Sequence, residues 1–251
     1  IHNQLAYLQQ LYGLSSALLK ASTPQELLEV IITPLQDTGI RASIYKTVYD
    51  DNGQAEYAET IAQHNAYIPV GGRFSLRTAI GRALASAPST PIIIDDVNQG
   101  HAVIDAPLAA VLATNKVTSL TFVPLSSTDG RWIATMQLSW HQPFRIPQTV
   151  LDLYEILIPQ LAAVIDNRWL LVEAQQSLRE AARLHETSAR LSDAHDEQAV
   201  IEVMGDVLRA ENINAVTLTL FNTGDYDTST EYHVIGSWRA DGRSIQGESG
   251  Q

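Results

Sequence analysis

The longest regular pattern along this chain is helical. From Leu151, apolar residues recur through Ile158, Leu161, Val164, Ile165, Leu171, Leu178 and Leu184; Pro147 stands where a helix can begin, and no glycine falls between Thr149 and Ala194. The spacing predicts one long helix over 148–195. After Leu170 its surface turns polar with Glu173, Gln175, Gln176, Arg179, Glu180 and Arg183, leaving a narrow apolar stripe of Leu171, Ala174, Leu178, Ala181 and Leu184. That pattern suits a solvent-crossing connector or one half of a coiled coil, although Arg168, Gln175 and His185 interrupt a clean heptad. Pro159 removes one helical hydrogen bond, at roughly 3 kcal/mol in a helix interior, and a kink is expected there.

Before this helix the pattern alternates between helical and strand periods. Leu5, Leu8, Leu11, Tyr12, Leu18 and Leu19 give a first helix over 3–21. Ser22 or Thr23, followed by Pro24 and Glu26, opens a second helix with Leu27, Leu28, Ile31 and Leu35 on its face, ended by Gly39. Two strands, 40–49 and 56–63, flank the turn Asp50-Asp51-Asn52-Gly53 as an antiparallel hairpin. A mixed segment with a short helix over 75–87, a brief strand Ile92-Ile93-Ile94, and a helix through Pro107 to Thr114 come next. A second hairpin pairs 119–125 with 132–140. Both of its strands are rich in β-branched and aromatic residues and close to apolar on two faces, so the sheet is expected to be covered on both sides.

The opening recurs. Ser16, Ala17 and Leu19 correspond to Ser188, Ala189 and Leu191; Gln25, Glu29, Val30, Leu35, Ile40 and Ala42 then correspond to Gln198, Glu202, Val203, Leu208, Ile213 and Ala215, a period of about 170 residues. Tandem domains joined helix to helix fit that period. The expected organisation is an entry helix over 1–21, a domain core over 22–147, a connector over 148–195 and the first part of a second domain over 196–251. That second part holds a helix over 197–209 and strands over 215–221 and 231–238. An incomplete sheet leaves open edges, so this part is expected either to be poorly ordered or to complete itself on another chain.

Composition narrows the function classes. The net charge is -12 and no basic run exceeds a pair, which argues against a nucleic-acid binder. There is no cysteine, which excludes disulfides, thiolate metal sites and a thiol-linked chromophore and fits a cytoplasmic location. No run approaches the length needed to cross a bilayer, and Ile1 opens an amphipathic helix rather than a signal peptide. The start without Met and the Gly247–Gln251 tail read as a segment of a longer protein.

Candidate chemistry is sparse. Asp95, Asp96, His101 and Asp105 place carboxylates and an imidazole on one loop, but their spacing is no known metal signature; capping by Asp95 or Asp96 and a solvated His101 is the plainer reading, and no metal site is expected. No serine sits in a nucleophile-elbow context, no glycine-rich loop cradles phosphate, and His64, His101 and His141 have no sequence partner that makes them bases. No catalytic residue is assigned.

The order helix, helix, hairpin, short helix, strand, helix, hairpin, long helix resembles a GAF domain. The resemblance is carried by Arg73-Phe74-Ser75-Leu76, by Thr90 to Val97 (TPIIIDDV), by Val117 to Leu125 (VTSLTFVPL) and by Thr135 to Trp140 (TMQLSW), and covers roughly Leu14 to Leu170. It implies an α+β fold, a central antiparallel sheet with helices on both faces, followed by the connector helix and the partial second copy. A PAS domain is the main structural alternative, but its usual opening by short strands fits Leu5 to Leu35 poorly. The chromophore cysteine, the phosphodiesterase-type nucleotide signature and the cysteines of the methionine-sulfoxide-reductase branch are all absent, so covalent bilin and thiol redox chemistry are not expected.

By the same resemblance, a ligand would lie between the sheet and 67–114. Arg73, Asp96, Ser119, Thr121, Gln137 and Ser139 would supply polar groups, with Phe74, Phe122, Met136 and Trp140 as apolar walls. The cofactor is unknown; a non-covalent small molecule such as a cyclic nucleotide, haem or another planar compound is the open choice. The expected function is a non-catalytic sensory and regulatory module in signal transduction. It would relay ligand or dimer state along the connector to an output domain of the same chain, as a homodimer meeting near Leu157, Val164, Leu171 and Leu178. The alternative is a structural dimerisation scaffold without a ligand.

Overall fold

The computed structural model describes residues 2–210, 215–221, 232–239 and 249–250. The chain divides into two compact units, 1–171 and 172–251.

In the first unit, α1 (His2–Lys20) leads into α2 (Pro24–Ile32). Thr23 caps α2 by accepting from the Glu26 N–H at 3.1 Å, and Pro24 occupies the first turn, where its missing N–H costs nothing. A 3-10 turn, Thr33–Thr38, ends at Gly39, whose φ of 72° is left-handed backbone that glycine adopts without strain. Strands β1 (Arg41–Tyr49) and β2 (Ala55–His64) form the first hairpin, followed by a short edge strand β3 (Arg73–Ser75). Then come α3 (Ala79–Ser86), β4 (Ile92–Ile94), a 3-10 turn at Val97–Gln99, α4 (Ala106–Thr114), β5 (Ser119–Ser126) and β6 (Trp132–Trp140). The six strands form one antiparallel sheet in the order β3-β2-β1-β6-β5-β4.

Each face of this sheet carries a core. Leu27, Leu28 and Ile31 of α2 pack with Ile44, Met136, Leu138 and Trp140 on one face, together with Leu153, Leu157 and Leu161 of α5 (Gln148–Ser192). On the other face, Ile80 and Leu84 of α3 and Leu112 of α4 pack with Tyr45, Leu120, Phe122 and Trp132. This is the expected α+β architecture with helices on both faces. Burial on two sides explains why every residue of β6 is buried even though Thr135, Gln137 and Ser139 alternate with Met136, Leu138 and Trp140 along it.

Helix α5 is assigned without interruption across Pro159. Over one stretch it is long and apolar enough to cross a membrane by length and composition alone, contrary to the expectation that nothing in the chain approaches this. The apolar residues have another destination: Leu153, Leu157, Leu161 and Ile165 sit in the core of the first unit. The Tyr154 hydroxyl donates to the Ile31 carbonyl at 3.0 Å, fastening α5 to α2.

In the second unit, α6 (Glu197–Ala210) follows, with the Asp196 carboxylate accepting from the Ala199 N–H at 2.8 Å at its start. Ile201 and Val203 are buried. Strands β7 (Ala215–Phe221), β8 (Tyr232–Arg239) and β9 (Ser249–Gly250) pair antiparallel in that order. Glu231, expected to start a strand, and most of the Gly247–Gln251 tail lie outside the described residues. Ile61 is an extra, bulged residue in β2, and Ile235 is its counterpart in β8, so the sequence repeat extends to a repeated irregularity of the hairpin.

Candidate functional site

A cavity of about 240 Å³ opens on the face of the sheet covered by α3 and α4. Tyr67 and Ile68 from the segment after β2, Phe74 of β3, Ile80 of α3 and Pro107, Leu108 and Val111 of α4 wall it, over a floor of Phe122 and Gln137. Ser75 and Thr78 complete the lining, and no lining side chain is charged.

The polar end is built on adjacent strands. The Tyr45 hydroxyl donates to Gln137 Oε1 at 3.0 Å, and Gln137 Nε2 donates to the Tyr67 hydroxyl at 3.4 Å, which leaves the Tyr67 O–H free to donate. Tyr45 meets Phe74 edge to face at 4.9 Å, and burial pushes its ionisation well above the usual tyrosine range. Strand register sets Ser43 opposite Gln137 and Thr60 opposite Tyr45. The hydroxyls of Ser43 and Thr60 are buried and have no hydrogen-bond partner among the described residues. Buried polar atoms in folded proteins are nearly always paired, with protein or with something held in the site.

One carboxylate holds the cover in place. Asp105 caps α4 through the Leu108 N–H at 3.1 Å and also accepts from the Ala79 N–H at 3.0 Å, joining the first turns of α3 and α4. The Ala79 and then the Leu108 N–H hold its carboxyl below the usual aspartate range. Asp96 caps the 3-10 turn by accepting from Asn98 N–H at 2.9 Å, which likewise lowers its ionisation. His101 is exposed, with its ring 3.5 Å from the Val103 N–H. Three of the four loop residues considered for chemistry thus meet backbone N–H groups.

The residues singled out from the sequence do not share one cavity. Phe74, Phe122 and Gln137 line it. Cross-strand partners Ser119 and Trp140, Thr121 and Leu138, and Val123 and Met136 all turn to the opposite face, since successive side chains on a strand alternate. There Ser119 donates to the Gln142 carbonyl at 2.8 Å, Trp140 donates to Thr38 Oγ1 at 2.9 Å and stacks on Phe144, and Met136 is fully buried in the α2 and α5 core. Ser139 shares the cavity face through its pairing with Leu120. Arg73, next to Phe74, turns away and binds Glu59 Oε2 through Nε and Nη2, each at 2.8 Å. Asp96 does not line the cavity. The sequence reading passed over Tyr45 and Tyr67; a tyrosine in an apolar stretch opposite a Gln strand was the available signal.

Of the connector positions, Leu157 is fully buried inside the first unit and is not open to a second chain. Val164 packs partly against the same core. Leu171 and Leu178 are exposed, at 59% and 71%.

The first unit is similar in structure to the GAF domain of a phosphoenolpyruvate-protein phosphotransferase from Coxiella burnetii, at 15% identity and a TM-score of 0.52 over 68% of this chain and 99% of that one. Two others are the GAF domain of an Acinetobacter phosphoenolpyruvate-protein phosphotransferase (14% identity, TM-score 0.49, 67% and 98% covered) and the phycocyanobilin-bound GAF domain of a cyanobacterial phytochrome (17%, 0.48, 65% and 96%). The Coxiella likeness shows a GAF-like fold. No protein-family model and no curated protein matches the sequence.

Proposed function

We propose that this chain is a regulatory rather than a catalytic module, in which a small molecule held by the first unit is sensed through α5. The observation that carries this reading is the double role of α5. Its first half supplies core residues Leu153, Leu157 and Leu161, while the same helix runs on to Ser192 with Leu171, Leu178 and Leu184 exposed. A helix is stiff along its axis, so a change in how its first half packs is carried to its far end. The cavity beneath α3 and α4 is the ligand site in this reading. Its uncharged lining, with the Gln137 amide and the Tyr67 hydroxyl at one end, favours a neutral guest with a polar end over an anion such as a cyclic nucleotide.

The exposed leucines favour a homodimer, because a stripe of large apolar side chains in water is an unstable surface. Leu171 and Leu178 are seven residues apart, the heptad period. The cytoplasm and an output domain of the same chain complete the proposal. The scaffold alternative shares the dimer and lacks the ligand.

Sedimentation of the full chain tests the dimer, with Leu171→Glu and Leu178→Glu expected to convert it to monomer. A wild-type monomer sinks the paired connector. Native mass spectrometry separates the readings: a stoichiometric small molecule lost in Gln137→Leu supports the sensor, and a bare dimer supports the scaffold.

A further inference from the structure

A second cavity, about 360 Å³, lies on the other face of the sheet, where β4 and β5 meet the early turns of α5. Ile93, Val123, Leu151 and Ile158 make its walls apolar. Ser89, Thr121, Tyr154 and Glu155 interrupt them, the Tyr154 hydroxyl being taken up by the Ile31 carbonyl. Thr121 lines the cavity and is 3% exposed. Pro159, also in the wall, has no N–H, so the carbonyl of Glu155 one turn earlier lacks its helical donor. A hydrogen bond between a guest and a hydroxyl in such a wall contributes about 0.5–1.5 kcal/mol.

We propose that this cavity is a binding site for a small, neutral, largely apolar molecule bearing one hydrogen-bond donor, a phenol or an alcohol, engaged by Thr121 and the freed Glu155 carbonyl. Size sets the class. A cavity of about 150 Å³ accepts benzene, so one of about 360 Å³ suits a two-ring compound. Glu155 at the lining, with no Lys or Arg beside it, disfavours anions. A guest bonded to the Glu155 carbonyl acts on α5 at the one point where Pro159 has removed a bond. That effect on the helix rests on the relay proposed above; the binding itself does not.

The test titrates the full chain with 2-naphthol, its methyl ether and 2-naphthoate, by calorimetry and by NOEs from each probe to protein methyl groups. Naphthol is expected to bind with NOEs to Val123, Leu151 and Ile158, the ether about five- to tenfold more weakly, and naphthoate weaker again, one lost hydrogen bond being about 1 kcal/mol. Thr121→Val keeps the side-chain shape and is expected to lower naphthol affinity by about the same factor with the melting temperature unchanged. Equal affinities for naphthol and its ether, or no effect of Thr121→Val, overturn the proposal. NOEs confined to Ile80, Leu108 and Val111 also overturn it while supporting the first cavity as a ligand site. An absence of NOEs to both sets overturns it as well.

Discussion

Thr121 and Phe122 are consecutive residues of β5, yet Thr121 lines the cavity beneath α5 and Phe122 lines the one beneath α3 and α4. The sheet is one residue thick, and alternation along a central strand gives each of its faces a separate set of side chains. Substitutions at neighbouring positions therefore report on different cavities, which is what makes the expectations below separable.

Gly81 has no room for a side chain. A Cβ there would lie 2.0 Å from the Leu76 carbonyl oxygen, a backbone atom that cannot swing aside. Gly81→Ala is expected to cost about 1–3 kcal/mol in chemical denaturation. Gly13, in the exposed middle of α1 with nothing within 4 Å of its Cβ position, is the contrast: Gly13→Ala is expected to stabilise by about 0.5–1 kcal/mol.

Leu157 and Leu178 lie on one helix with opposite fates. Leu157→Ala empties a fully buried site and is expected to lower stability by about 2–5 kcal/mol. Leu178→Ala is expected to change monomer stability by less than about 0.5 kcal/mol and to weaken self-association, read by sedimentation over a concentration series.

Burial raises the ionisation of Tyr45 and Tyr154 above the ordinary value of 10.0. Above pH 10 the unfolded chain releases these protons while the folded chain keeps them, so the unfolded state binds fewer protons and stability falls as pH rises. Melting temperature is expected to drop from about pH 10 upward. The drop should be shallower in Tyr45→Phe, which also leaves Gln137 Oε1 without its donor and costs about 1 kcal/mol at neutral pH.

Asp105 holds two helix starts at once. Its carboxyl ionises below the ordinary value of 3.8, so its contribution is present above that pH and is lost as pH falls through the lowered value. Asp105→Ala is expected to remove the acid-side loss it causes and to speed hydrogen exchange at the Ala79 and Leu108 amides together, although they belong to different helices.

The sequence by itself determined the elements and their order. Periodicity is local: Leu27, Leu28 and Ile31 declare a helix face, Thr23 and Pro24 its start, and Asn52-Gly53 a turn, without reference to anything distant. It also placed the repeat, because the same local signals recur. Strand β3 escaped it, since three residues are too few to show a period.

Only the tertiary structure decided which residues share a site. Strands β5 and β6 are buried on both faces, so nothing local says whether Met136 or Gln137 points to α3 or to α5; that is fixed by the register of six paired strands and by which helix covers which face. The same cause moved Trp140, Met136, Ser119 and Thr121 away from Phe74, Phe122 and Gln137. Leu157 and Leu178 likewise belong to the same apolar pattern of one helix, and what buries the first is the packing of α2 and the sheet against it, a contact between residues more than a hundred positions apart along the chain.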